Sequence, residues 1–115
     1  MGLFDAIAEF FRAIWSFVRR LVEGIINFFQ NIASWFKNSR RLQMLKQNRK
    51  LLAVSIKRNL EANNYNVINC LYDTEKEDIV GEYDVSNQDT IGFEASGLDS
   101  ETKKHFGDKD MIILK

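Results

Sequence analysis

Polar residues in the first 37 positions fall at 5, 9, 12, 16, 19, 23, 27, 30 and 34, an unbroken run of three- and four-residue steps. Such spacing gathers them on one side of an α-helix. The opposite side carries Phe4, Ile7, Phe11, Ile14, Val18, Leu21, Ile25, Phe28, Ile32 and Trp35, flanked by Leu3, Phe10, Trp15, Phe17, Val22, Phe29 and Phe36. The pattern predicts a long N-terminal amphipathic helix over 3–36, roughly 50 Å long at ~1.5 Å per residue. Its apolar face is broader than a two-stranded coiled-coil seam.

Asn38 and Ser39 supply a helix stop or a new N-cap, after which Leu42, Leu45, Leu52, Ile56 and Leu60 resume an apolar line. This predicts a second, basic helix within 38–63, with a break or bend near 37–40. Beyond it the pattern changes. Residues 65–72 (YNVINCLY) and 79–85 (IVGEYDV) are rich in β-branched and aromatic side chains and are separated by a polar turn, the signature of a hairpin. Residues 90–95 suggest a third strand and 111–114 a fourth. Between them Asp99 can cap a short helix that Gly107 ends. The expected fold class is α+β: a long N-terminal helix, a basic helix, and a small C-terminal module of about four strands with one short helix. Three segments follow, 1–37, 38–63 and 64–115, the last needing the basic helix as its second layer.

Composition sharpens this division. The 115 residues are 45% hydrophobic with one cysteine, which excludes a disordered chain and a disulfide-stapled module. Seven of the nine phenylalanines and both tryptophans precede residue 38. Net charge is zero but segregated. Residues 1–37 set Arg12, Arg19, Arg20 and Lys37 against Asp5, Glu9 and Glu23, a net of +1. Residues 38–63 set Arg40, Arg41, Lys46, Arg49, Lys50, Lys57 and Arg58 against Glu61, a net of +6. Residues 64–115 hold twelve acids against five lysines, a net of −7.

Burying each large side chain of the N-terminal stripe contributes ~1.5–3 kcal/mol, so a bare helix in water forgoes tens of kcal/mol. The acidic C-terminal half is too small to cover a stripe of that length, which leaves copies of the same helix or lipid as its expected partners. Six charges between Asp5 and Glu23 interrupt any single membrane span. The acidic start and missing cleavage pattern disfavour a signal peptide. An in-plane amphipathic helix fits better. On this reading Phe4, Ile7, Phe11, Ile14, Trp15, Val18, Leu21, Ile25, Phe28, Ile32, Trp35 and Phe36 form the membrane or self-association face. Arg40, Arg41, Lys46, Arg49, Lys50, Lys57 and Arg58 contact anionic lipid or an acidic partner, the −7 segment of the chain itself included.

Candidate chemistry is sparse. His105 has no nucleophile at a recognisable spacing, and Cys70 reads as a small buried hydrophobe. One histidine and one cysteine do not make a structural zinc site. The acidic run 73–78 lacks the glycine and terminal glutamate of a calcium loop, and Gly92, Gly97 and Gly107 read as turn residues. No aromatic interleaving supports nucleic-acid binding by the basic segment. No enzyme activity, metal or cofactor is expected.

The opening GLFDAIAEFF (2–11) resembles the fusion peptides of influenza-type hemagglutinins over ten residues, with Asp5 and Glu9 where that family has small residues. The resemblance implies a segment able to insert shallowly in lipid, more readily at low pH. The sequence thus predicts a non-enzymatic homo-oligomer at the cytoplasmic face of a membrane, forming a pore or a surface assembly, with a C-terminal protein-interaction module. The alternative is a soluble cytoplasmic bundle or tube displaying that module.

Overall fold

A computed structural model describes residues 6–114. The fold class is α+β, built on one six-stranded mixed sheet. In chain order the elements are α1 (Ile7–Trp15), β1 (Arg20–Glu23), a π-helical turn (Phe28–Ala33) running into α2 (Ser34–Phe36), and α3 (Ser39–Gln47). Then follow β2 (Leu51–Asn59), β3 (Tyr65–Asp73), β4 (Asp78–Ile79), β5 (Thr90–Ala95), α4 (Ser100–Phe106) and β6 (Met111–Leu114). The strand order is β1-β5-β3-β2-β6, with the short β4 paired to β3. All pairings are antiparallel except β1 with β5, which places Arg20 beside Gly92 and Glu23 beside Ala95.

The long N-terminal helix expected over 3–36 is not formed. Its first helix has nine residues, and two local features end the run. Residues 20–23 become a strand. Asn27 then takes an extended backbone and caps the π-helical turn. The Asn27 side chain accepts from the Gln30 N–H at 3.0 Å, while the Asn31 side chain accepts from the Asn27 N–H at 2.7 Å. This reciprocal pair satisfies two donors that a helix start leaves unmet.

The physical gain from breaking the helix is cover on two faces. Phe10, Phe11, Ile14 and Val18 pack on one side of the sheet against Val54, Ile56, Ile68, Cys70 and Tyr72. Phe28, Ile32 and Phe36 pack on the other side against Val67, Leu71, Ile91, Phe93 and Phe106. A straight rod cannot do both, because it meets a sheet along one face only. The chain's own sheet, with β2 of the middle segment joined to strands of the C-terminal half, therefore covers much of the apolar stripe, where the C-terminal half alone was expected to be too small.

The basic helix is also shorter than expected. Asn38 caps α3, accepting from the N–H groups of Arg40 at 3.0 Å and Arg41 at 3.3 Å, but the helix stops at Gln47. Residues 51–56 form an almost unbroken apolar run, which suits a central strand covered on both faces. Ala53 and Ser55 face the α4 side, Val54 and Ile56 the α1 side. Within 64–115 the expected four strands and one short helix are present. The strand expected at 79–85 shrinks to Asp78–Ile79. Gly81, at φ +92°, turns the chain away, and its Cα lies so near Asn87 that an added Cβ would come within 2.7 Å of that side chain. Asn87 Nδ2 holds the loop by donating to the carbonyls of Val80 at 3.1 Å and Glu82 at 2.9 Å.

Candidate interaction surface

Residues 19–26 run alongside 92–99 and are tied to them on one side only. Gly92 N–H donates to the Arg19 carbonyl at 2.8 Å, Ser96 N–H to Gly24 at 3.0 Å, Ile26 N–H to Gly97 at 3.0 Å, and Asp99 N–H to Ile26 at 2.9 Å. Among the described residues no strand pairs with the other side of β1, which is an edge of the sheet. On β1 itself Val22 is 81% and Leu21 42% exposed, and in the segment that follows Ile25 is 61% and Phe29 60% exposed. Beside Val22 opens a cleft of about 450 Å³ whose lining includes Leu60, Tyr65, Asn66 and Glu94. Single exposed apolar residues are ordinary, but exposed apolar side chains on a strand edge that lacks a partner suit a contact surface.

The charges on this edge divide by role. Arg20 folds back, its guanidinium 4.7 Å from the Trp15 ring and donating to the Trp15 carbonyl. Arg19 and Glu23, on either side of Leu21, make no ion pair among the described residues.

Of the predicted apolar face, Phe4 lies outside the described residues. Phe11, Ile14, Val18, Phe28, Ile32 and Phe36 are buried, Ile7, Trp15 and Trp35 half-buried, and only Leu21 and Ile25 exposed. The exposed apolar residues are thus Leu21 and Ile25 of the predicted face, with Val22 and Phe29, which the helical pattern left at its flanks. Gly24, mid-way through the supposed helix, is the sequence signal that an extended segment begins nearby.

Four of the seven predicted basic contacts are engaged within the chain. Arg40 makes a two-pronged contact with Asp89, at 2.6 and 3.2 Å. Arg41 is buried, donating to the Trp35 carbonyl at 3.0 Å and the Gln88 carbonyl at 2.6 Å. Its Nε lies 3.5 Å from Asp89, an ion pair without a hydrogen bond. Burial pulls the Arg41 pKa down against the opposing pull of Asp89, whereas the hydrogen bond from Arg40 to Asp89 raises that of Arg40. Lys50 pairs with Glu75, and Lys57 with Asp110 at 2.9 Å. Lys46, Arg49 and Arg58 are exposed and make no ion pair among the described residues.

Groups with reactive potential are held in structural settings. The His105 ring stacks on Phe28 at 3.7 Å, and its Nδ1 lies 2.8 Å from the Glu101 carbonyl. Cys70 is fully buried, which pushes its thiol pKa up to about 12. Among the described residues no group of three or more His, Cys, Asp or Glu could hold a metal, and no helix is long and apolar enough to cross a membrane. Comparison with protein-family models, curated protein sequences and solved structures yields no match.

Proposed function

We propose that this chain is a non-enzymatic assembly protein that self-associates through the open β1 edge and the apolar residues beside it. The observation that carries this reading is the exposure of Leu21 and Val22 on β1, a strand that is paired on one side only among the described residues. Strand edges of this kind join other strands unless charge, proline or a covering element blocks them.

Light scattering on the full chain across a range of concentrations tests the reading. The expected result is a mass that is a multiple of 13.4 kDa, collapsing to that value in Val22→Lys, where a charge is set on the exposed edge. A wild-type chain of monomeric mass at all concentrations, or an oligomer untouched by Val22→Lys, overturns it.

Lipid contact through the same edge is a second reading, supported by exposed Arg19, which makes no ion pair among the described residues, preceding exposed Leu21 and Val22. Cations beside apolar side chains suit an anionic bilayer surface. Co-sedimentation with phosphatidylserine vesicles, reduced by Phe29→Glu, is the expected outcome; equal recovery in the supernatant with and without vesicles sinks it.

A further inference from the structure

We propose that a second copy of this chain occupies the open edge of β1, paired antiparallel about a two-fold axis at Leu21 and joining the two sheets into one. This rests on the self-association reading and specifies its geometry. In a parallel ladder, alternate residues of a strand direct their backbone groups to the same neighbour. Because the Arg19 carbonyl accepts from Gly92, residues 19, 21 and 23 face β5, and the N–H and C=O groups of Arg20 and Val22 point outward, without a strand partner among the described residues.

A two-fold that continues the sheet stands perpendicular to it, so it pairs residues whose side chains share a face. Alternation along β1 puts Arg19, Leu21 and Glu23 on one face and Arg20 and Val22 on the other. Setting Leu21 opposite its own counterpart places Arg20 opposite Val22 of the second copy, on both sides of the axis. Those are the two residues whose backbone groups are free, so each pairing exchanges two main-chain hydrogen bonds. The same register sets Arg19 opposite Glu23 of the second copy, twice.

Within one chain these two side chains lie about 13 Å apart along the strand at ~3.3 Å per residue, too far to meet each other. A second copy supplies each with the opposite charge directly across the strand pair, where such pairs stabilise. The neighbouring register, centred on Val22, does worse on each count. It sets Leu21 against Glu23, leaves Arg19 without an acid, and puts Arg20 opposite Gly24, whose carbonyl already accepts from the Ser96 N–H at 3.0 Å and hydroxyl at 2.7 Å.

Cysteine cross-linking and charge exchange on the full chain test the geometry. At the axis, opposed residues of a non-hydrogen-bonded pair lie ~4.5 Å apart between Cα atoms, within disulfide reach. Leu21→Cys is expected to give a covalent dimer under mild oxidation, at least tenfold faster than Val22→Cys. Arg19→Glu is expected to weaken association at least tenfold, and Arg19→Glu combined with Glu23→Arg to restore it. Cys70, fully buried, stays out of the reaction. Faster cross-linking at 22, or no rescue by the double exchange while self-association persists, overturns this register and leaves the broader reading standing. A wild-type chain that is monomeric overturns both.

Discussion

The guanidinium of Arg41 lies 3.8 Å from the ring centre of Trp35, clamping α3 against α2 while its other donors reach the Trp35 and Gln88 carbonyls. With Arg40 it closes around Asp89 at the entrance to β5, so a single acid fixes the N-terminal third, the basic helix and the sheet together. Removing one partner of a buried ion pair typically costs about 3–5 kcal/mol, because the other charge is left uncompensated. Asp89→Ala is expected to destabilise the fold by that order, measured as a lower urea midpoint. Arg40→Ala, on the half-exposed partner, should cost about 1 kcal/mol or less. Equal losses for the two would contradict the clamp.

Asp99 joins the same halves by hydrogen bonds. Its carboxylate accepts from the Phe28 N–H at 3.3 Å, from the Thr102 N–H at 2.8 Å and from the Thr102 hydroxyl. Desolvation alone would raise its pKa, but these hydrogen bonds outweigh it and the folded-state value is lowered. A depressed carboxylate pKa contributes stability that is fully present above the unfolded-state value of about 3.9 and is lost as pH falls through the folded value. Asp99→Ala should therefore cost about 0.5–2 kcal/mol at neutral pH, as for other N-caps. In urea titrations the gap between variant and wild type should close below about pH 4. A gap that widens in acid would rule this out.

Gly92 lies at the middle of β5 beneath α1, where an added Cβ would come within 2.8 Å of the Trp15 ring and 3.0 Å of Val18. Gly92→Ala is expected to push Trp15 outward, costing about 1–3 kcal/mol as overpacking does. A red shift of the Trp15 emission, read in a Trp35→Phe background, checks it; an unchanged spectrum and melting point would refute the close fit.

At the β2–β3 turn Ala62 adopts φ +60°, the left-handed region that side chains disfavour. That conformation costs roughly 1–2 kcal/mol in a residue with a Cβ. Ala62→Gly is expected to recover up to about 1 kcal/mol, less what the freer unfolded chain takes back. Thermal melting reads the gain, and a loss on substitution would mean the turn is not strained.

Burial predicts the behaviour of the single thiol. Fully enclosed among Val54, Ile56 and Ile68, with its pKa pushed up to about 12, Cys70 has negligible thiolate at neutral pH. A thiol-reactive disulfide reagent should label it only at the rate of global unfolding. Prompt labelling of the native chain would contradict its enclosure.

The parts of the fold legible in the sequence are those governed by local chemistry. Asp99 and Asn38 are caps because their short acceptors reach back to the next turn, and Gly107 ends α4 at φ +61° where a side chain would strain. Tyr65–Asp73, Thr90–Ala95 and Met111–Leu114 are strands, as their β-branched and aromatic content indicates. The N-terminal third misleads because its three- and four-residue polar spacing has several unrelated causes. Glu9, Arg12 and Ser16 line the outer face of α1 and its end, Arg19 and Glu23 alternate along a strand, Asn27 is a cap, and Gln30 and Ser34 face out of the second helical segment. What breaks the helix is pairing with residues far along the chain, and no local window contains that partner. The candidate edge was half legible: Leu21 and Ile25 stand in the apolar pattern, but their exposure follows from β1 lying at the margin of the sheet.

Gly24 and Ser96, hydrogen-bonded neighbours in the sheet, are 72 positions apart in the chain. At ~5–20 residues per second, a ribosome takes about 4–14 seconds to make the stretch between them. For most of that interval the N-terminal third exists without the residues of β5 that hold β1 in the sheet. The phenylalanines of α1 and of the π-helical turn therefore have no complete sheet to cover until the last third of the chain is made.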